Sequence, residues 1–154
     1  MFNESLSYND VLLVPQYSDI KSRKEVDISS NLGQLKFDIP IIASPMDTIS
    51  EAPMAEAMSA LGGLSIIHRY NTPEEQAQIV KTVTSTIPPA TVGGAIGTSG
   101  DYLERASALV KAGAKVLCVD VAHGHHIMMR EVLASLRREF GDDLHIMAGN
   151  ASVL

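Results

Sequence analysis

From residue 38 onward, short apolar runs alternate with amphipathic stretches, and no other feature limits the possible folds as strongly. The runs are Ile39-Pro40-Ile41-Ile42-Ala43, Leu64-Ser65-Ile66-Ile67, Thr91-Val92-Gly93-Gly94-Ala95-Ile96, Lys115-Val116-Leu117-Cys118-Val119-Asp120 and Leu144-His145-Ile146-Met147-Ala148. They recur about every 25 residues through the regular part. Each is four to six residues long and nearly continuous in apolar character, as expected of a strand buried on both faces. Between them the pattern predicts helices over Ala52–Leu61, from Thr72 to about Thr82, from Asp101 to just before Gly113, and over Ile127–Phe140. Gly62, Gly113 and Gly141 fall where a left-handed residue closes a helix. Thr72-Pro73-Glu74-Glu75 has the form of a capping box with proline in the first turn, and Asp101-Tyr102-Leu103-Glu104 predicts a second box.

Strands alternating with helices imply a parallel sheet covered by helices. Two architectures fit. One is an open, doubly wound, five-stranded sheet, complete at this length. The other is the first four to five β/α units of a parallel (β/α)8 TIM-type barrel, which needs about 250 residues. Periodicity alone does not choose. Residues 1–37 are polar apart from the apolar knot Val11-Leu12-Leu13-Val14, and read as an extension wrapping the sheet or its neighbour; residues 38–154 carry the alternating pattern.

Composition excludes several function classes. Twelve Lys+Arg against 18 Asp+Glu give a net charge of −6, and no basic stripe is present to track a nucleic-acid backbone. No apolar run is long enough to span a membrane, and Met1-Phe2-Asn3-Glu4-Ser5 has neither the basic nor the apolar region of a signal peptide. The single Cys118 permits no intrachain disulfide and fits a reducing, cytoplasmic setting.

In either parallel architecture the ligand lies at the carboxyl ends of the strands. The residues there are Ser44-Pro45-Met46-Asp47-Thr48, His68-Arg69-Tyr70, Gly97-Thr98-Ser99-Gly100, Asp120-Val121-Ala122-His123-Gly124-His125 and Gly149-Asn150. Ser44 and Thr48 equally suit capping of the next helix. Met46 suits a core as well as a ligand contact. Asp120, a carboxylate ending an apolar strand, suits a ribose or carboxamide contact or a helix N-cap. Arg69 suits a phosphate or a surface ion pair. His123, His125 and His126 lack a further ligand at zinc spacing, so no metal is expected. Gly93-Gly94-Ala95-Ile96-Gly97 lies within a strand and is no dinucleotide fingerprint. Cys118, inside an apolar strand where a thiol is inert, is not expected to be a nucleophile.

Five ordered segments resemble the IMP dehydrogenase/GMP reductase family: Val11-Leu12-Leu13-Val14-Pro15, Lys21-Ser22-Arg23-Lys24-Glu25-Val26-Asp27, Pro45-Met46-Asp47-Thr48, Asp120-Val121-Ala122-His123-Gly124-His125 and Ala148-Gly149-Asn150. The resemblance implies the (β/α)8 barrel, here its amino-terminal half, and a purine-nucleotide oxidoreductase working with a nicotinamide cofactor. It implies that a cysteine thiolate adds to purine C2, and that a hydride passes between that carbon and the nicotinamide. Ser44 and Met46 would meet the nucleotide. Asp120, Val121, Ala122 and Asn150 would meet the cofactor, with Arg69 beside them and Thr98 and Ser99 weaker candidates. Ser22 and Arg23 would reach the NADPH of a neighbouring subunit in a homo-oligomer, a tetramer in the complete family enzyme.

The passage from Ile67 to Thr91 leaves no room for the CBS pair common in the dehydrogenases, which leans towards NADPH-dependent GMP reductase. Ser44-Pro45-Met46-Asp47-Thr48 and Gly62-Gly63 lean the other way, to NAD-dependent IMP dehydrogenase. The family's catalytic cysteine loop would follow a sixth strand, and Cys118 does not match it. Ala151-Ser152-Val153-Leu154 also departs from the expected Val-x-Thr after Gly-Asn. The resemblance thus implies an incomplete chain without turnover of its own; a non-enzymatic nucleotide-binding or assembly half-barrel is the rival reading.

Overall fold

The computed structural model describes residues 6–152; Met1–Ser5 and Val153–Leu154, on which the signal-peptide and chain-end readings partly rest, lie outside the described residues. An antiparallel hairpin, β1 (Ser30–Leu32) and β2 (Leu35–Phe37), turns at Gly33 and precedes five parallel strands. These are β3 (Ile42–Ala43), β4 (Leu64–Ile67), β5 (Val92–Ile96), β6 (Val116–Asp120) and β7 (His145–Gly149). Helices α1 (Ala52–Ala60), α2 (Pro73–Thr86), α3 (Tyr102–Lys111) and α4 (Ile127–Phe140) fill the four intervals. Spatial order equals chain order, β3-β4-β5-β6-β7, with every neighbour parallel.

Side-chain alternation explains why the sheet curls with its helices on one face only. Ile67, Val92, Ile96, Leu117, Val119 and Ile146 point outward and join one core with Ala55 of α1, Val80 and Val83 of α2, Ala106 and Leu109 of α3, and Met129, Val132 and Leu136 of α4. Leu64, Ile66, Ala95, Val116, Cys118 and Met147 point the other way, into a smaller cluster with Phe37, Leu32 and Leu35 of the hairpin. A doubly wound sheet reverses its strand order and carries helices on both faces. Neither holds here. The open-sheet alternative is overturned, and the fold is a curled half-barrel of the TIM type. Gly94 shows how closely the helices approach: a Cβ there would lie 2.7 Å from the Leu109 side chain.

The remaining differences from expectation have local causes. The first parallel strand shrinks to Ile42–Ala43 because Asp38 and Ile39 turn to donate to the Gly62 carbonyl and Pro40 has no N–H to give, although the Ile41 carbonyl still accepts from Leu64 at 3.2 Å. Helix α2 runs on to Thr86, and in its last turns the Thr82, Ser85 and Thr86 hydroxyls bond back to carbonyls four residues earlier. The Thr72–Glu75 capping box forms with both reciprocal bonds. The second box does not form, because the Asp101 carboxylate takes Arg105 instead, at 2.8 Å. Residues 6–29 do not wrap this sheet: all but Ser22 are exposed, with Leu12 and Leu13 of the apolar knot 94% and 97% accessible. It is the hairpin beyond them that packs on the concave face.

A buried polar bracket ties strand ends to helix starts. The Gln76 amide of α2 donates to the carbonyls of Ile67 and Ala95, at 3.0 Å each, spanning β4 and β5. Its oxygen accepts from the buried Arg105 guanidinium of α3 at 2.9 Å, and Arg105 also donates to the Asn71 carbonyl. The Gln76 amide and both terminal nitrogens of the Arg105 guanidinium are paired, Arg105 also meeting the Asp101 carboxylate at 2.8 Å, which lets a buried charge be tolerated. The Ser65 hydroxyl, in contrast, is buried among outward-facing residues with no partner. Gln76→Ala is therefore expected to destabilise the fold by about 2–3 kcal/mol, because it orphans buried partners. Ser65→Ala is expected to be neutral or slightly stabilising. Urea unfolding of both variants tests the contrast, and a Gln76→Ala midpoint equal to that of the parent contradicts it.

Candidate functional site

The carboxyl ends of the strands meet in a concavity of about 550 Å³. Ser44 and Pro45 reach it from the turn after β3, Asp120 from the end of β6, and Gly149, Asn150 and Ala151 from β7 and beyond. Ile42, Ile66, Cys118 and Met147 form its apolar floor. Alternation places them there: Asp120 and Cys118 share the inward register of β6, opposite Gly149 and Met147 of β7. The site is half polar because strands end as the inward face reaches the rim, where solvated groups cost least.

Hydrogen bonds between loops fix the rim. Val121 donates to the Gly149 carbonyl at 2.9 Å and accepts from the Asn150 N–H at 2.7 Å. Gly124 donates to the Asn150 carbonyl at 2.7 Å. The β6 and β7 loops are thus tied to each other. Arg69, exposed at the end of β4, reaches across the rim and donates to the Asp120 carbonyl at 3.4 Å. It makes no ion pair within 4.0 Å among the described residues. Met46 is 52% exposed, so it is no core residue.

Neither Ser44 nor Thr48 caps a helix; α1 starts at Ala52 after Glu51, whose carboxylate bonds His68 instead. Asp120 is no N-cap either, since His126 caps α4 by accepting from Met128. His123 and His125 stand edge to face with centroids 6.4 Å apart, and among the described residues no three metal-type side chains gather. Ala122 and Ser99 are exposed and Thr98 is half-buried; none of the three lines the concavity. Ser22 caps a short 3-10 turn, Arg23–Glu25, by accepting from Lys24. That turn is not brought to the concavity of its own chain.

Two buried groups carry no motif and escape a reading of the sequence. Gln76 and Arg105 look like ordinary polar residues on amphipathic helices, yet they hold two strand ends behind the rim. Cys118 faces the concavity rather than the helix layer. Burial, with a smaller contribution from the nearby Asp120 carboxylate, pushes its thiol up to about 11. At neutral pH the thiol is protonated and a poor nucleophile.

No helix among the described residues is long and apolar enough to cross a membrane. The sequence matches the model of the IMP dehydrogenase / GMP reductase domain over residues 5–153. It is 47% identical over 83 residues to inosine-5'-monophosphate dehydrogenase of Nitrosopumilus maritimus, covering 53% of this chain and 17% of that protein. It is 46% identical over 81 residues to GMP reductase of Leishmania donovani, covering 52% of this chain and 16% of that one. With GMP reductase of Phytophthora infestans the match is 29% over 152 residues, 94% of this chain and 41% of the relative. The chain spans less than half the length of these relatives. A curled parallel sheet with helices outside and a polar rim at its carboxyl ends defines a TIM-barrel-type α/β protein. Within that class, the chain belongs to the IMP dehydrogenase/GMP reductase domain family.

The thiol environment gives a direct check. With the thiol pushed up to about 11, far less thiolate is present at neutral pH, so iodoacetamide is expected to modify Cys118 much more slowly in the folded chain than in urea. The rate is expected to rise with pH up to about 11. Equal rates in the folded and unfolded chain at pH 7.5 contradict the protonated state.

Proposed function

We propose that this chain supplies the nucleotide-facing and cofactor-facing strand ends of a purine-nucleotide oxidoreductase. The reaction we favour is the NADPH-dependent reductive deamination of GMP to IMP. One observation carries the reading: Ser44, Asp120 and Asn150, distant in sequence, share one concavity in a member of this family. The direct passage from α2 through Pro88-Pro89 into β5 favours the reductase over a dehydrogenase with an inserted regulatory domain. The alternative is NAD-dependent oxidation of IMP to XMP, favoured by the 47% match to a protein named inosine-5'-monophosphate dehydrogenase.

Each residue acts by ordinary chemistry. The Ser44 hydroxyl, exposed at the rim, donates to a nucleotide phosphate oxygen. The exposed Met46 thioether packs on the flat purine. A nicotinamide cofactor supplies or accepts the hydride when bound. Asp120 and Asn150, which line the concavity, offer a carboxylate and an amide to the ribose and carboxamide end of such a cofactor, with the backbone of Val121 and Ala122 beside them in the chain. Arg69 offers the rim a cation for a phosphate. The exposed Arg23, with the half-buried Ser22 before it, suits the 2′-phosphate of NADPH bound to a neighbouring subunit of a homo-oligomer. Cys118 supplies no thiolate at neutral pH, so we assign it no catalytic role.

Isothermal calorimetry with GMP and IMP tests the reading. Ser44→Ala is expected to weaken nucleotide binding by about 1.5–3 kcal/mol, the range for a hydrogen bond to a charged acceptor. An unchanged dissociation constant removes Ser44 from the site, and an absence of nucleotide binding by the parent chain overturns the reading.

A further inference from the structure

The turn carrying Ser44 and Met46 is held from behind by residues that touch no proposed ligand. Ser50 is 1% exposed, and its hydroxyl donates to the Ser44 carbonyl. Its backbone N–H donates to the Met46 carbonyl at 2.9 Å, and its own carbonyl accepts from the His68 N–H at 3.4 Å. His68, 2% exposed, is itself pinned. Its Nδ1 accepts from the Tyr70 N–H at 3.2 Å, which assigns the ring proton to Nε2, and Nε2 donates to the Glu51 carboxylate at 3.0 Å. Between these anchors lies Thr48, at φ +61°. A β-branched residue avoids this left-handed conformation, and it persists only where the surroundings over-determine it.

We propose that Ser50 is a positioning residue, locked in place by His68 and Glu51, that holds the Ser44–Thr48 turn in its strained form and thereby sets where Ser44 and Met46 meet the nucleotide. The clamp follows from the hydrogen bonds alone; its consequence for the ligand rests on the nucleotide reading above. Removing the Ser50 hydroxyl leaves the Ser44 carbonyl held only by the Met46 N–H at 2.8 Å, and lets Thr48 relax to an ordinary backbone conformation. The Ser44 hydroxyl then loses its fixed direction, and ordering it again on binding costs affinity.

Amide hydrogen exchange and calorimetry on Ser50→Ala, Glu51→Ala and Glu51→Gln test this. Ser50→Ala is expected to speed exchange of the Ile49, Ser50 and His68 amides about tenfold, with distant strand amides unchanged, and to weaken GMP or IMP binding about tenfold. Glu51→Gln keeps an acceptor for His68 and is expected to match the parent in both readouts, whereas Glu51→Ala moves towards Ser50→Ala. Unchanged turn exchange in Ser50→Ala overturns the clamp. Faster exchange with unchanged affinity overturns its role in positioning the ligand while leaving the nucleotide reading intact. If the parent chain binds neither nucleotide, the functional reading and the positioning role both fail, and exchange alone decides whether the clamp exists.

Discussion

The structure depends on the two-residue alternation of its five parallel strands. One register sends Ile67, Val92, Ile96, Leu117 and Val119 into a continuous layer with four helices, where burial of apolar surface supplies most of the stabilisation. The other register leaves Ile66, Cys118 and Met147 on a concave face that no helix covers. The hairpin packs on part of that face through Phe37, and the rest opens as the concavity at the rim. A slip of one residue in β6 would exchange its two sets and turn Asp120 towards the helices.

Polar groups behind the rim convert this scaffold into a defined geometry. Gln76 and Arg105 couple the ends of β4 and β5 to the starts of α2 and α3, so the loops leaving those strands start from fixed points. On the far side, the Val121–Asn150 hydrogen bonds join the β6 and β7 loops. Ser50 and His68 do the same for the turn after β3. Three separate devices therefore hold the one rim, and two of them, Gln76 with Arg105 and Ser50 with His68, use buried groups that are costly to leave unpaired.

Long-period features were legible in the sequence. Apolar runs marked β4, β5, β6 and β7 to within a residue or two, and glycines with positive φ at 62, 113 and 141 closed α1, α3 and α4 as expected. The choice of barrel over open sheet was not legible from periodicity, because both use the same strands and differ only in spatial order. The family resemblance made that choice, and the strand order agrees with it. The hairpin was missed since three-residue strands such as Ser30–Leu32 carry too little alternation to read. Asp101 shows a second limit: a capping signature does not reveal that a guanidinium four residues on will compete for the carboxylate. The candidate site was legible as a set of strand ends, but the direction of each side chain was not. Cys118 faces the concavity, and Met46 stands half in solvent, for reasons of register and turn geometry that no local motif encodes.

The central claim is that ligand recognition belongs to the carboxyl rim of the curled sheet, while the hairpin serves the opposite end, where Gly33 lies against His145. Backbone chemical-shift mapping during a titration with GMP tests this most directly. The account predicts shifts at Ser44 and Met46, where it places the nucleotide, and none at Gly33, Leu35 or His145. Shifts confined to the hairpin end would contradict it.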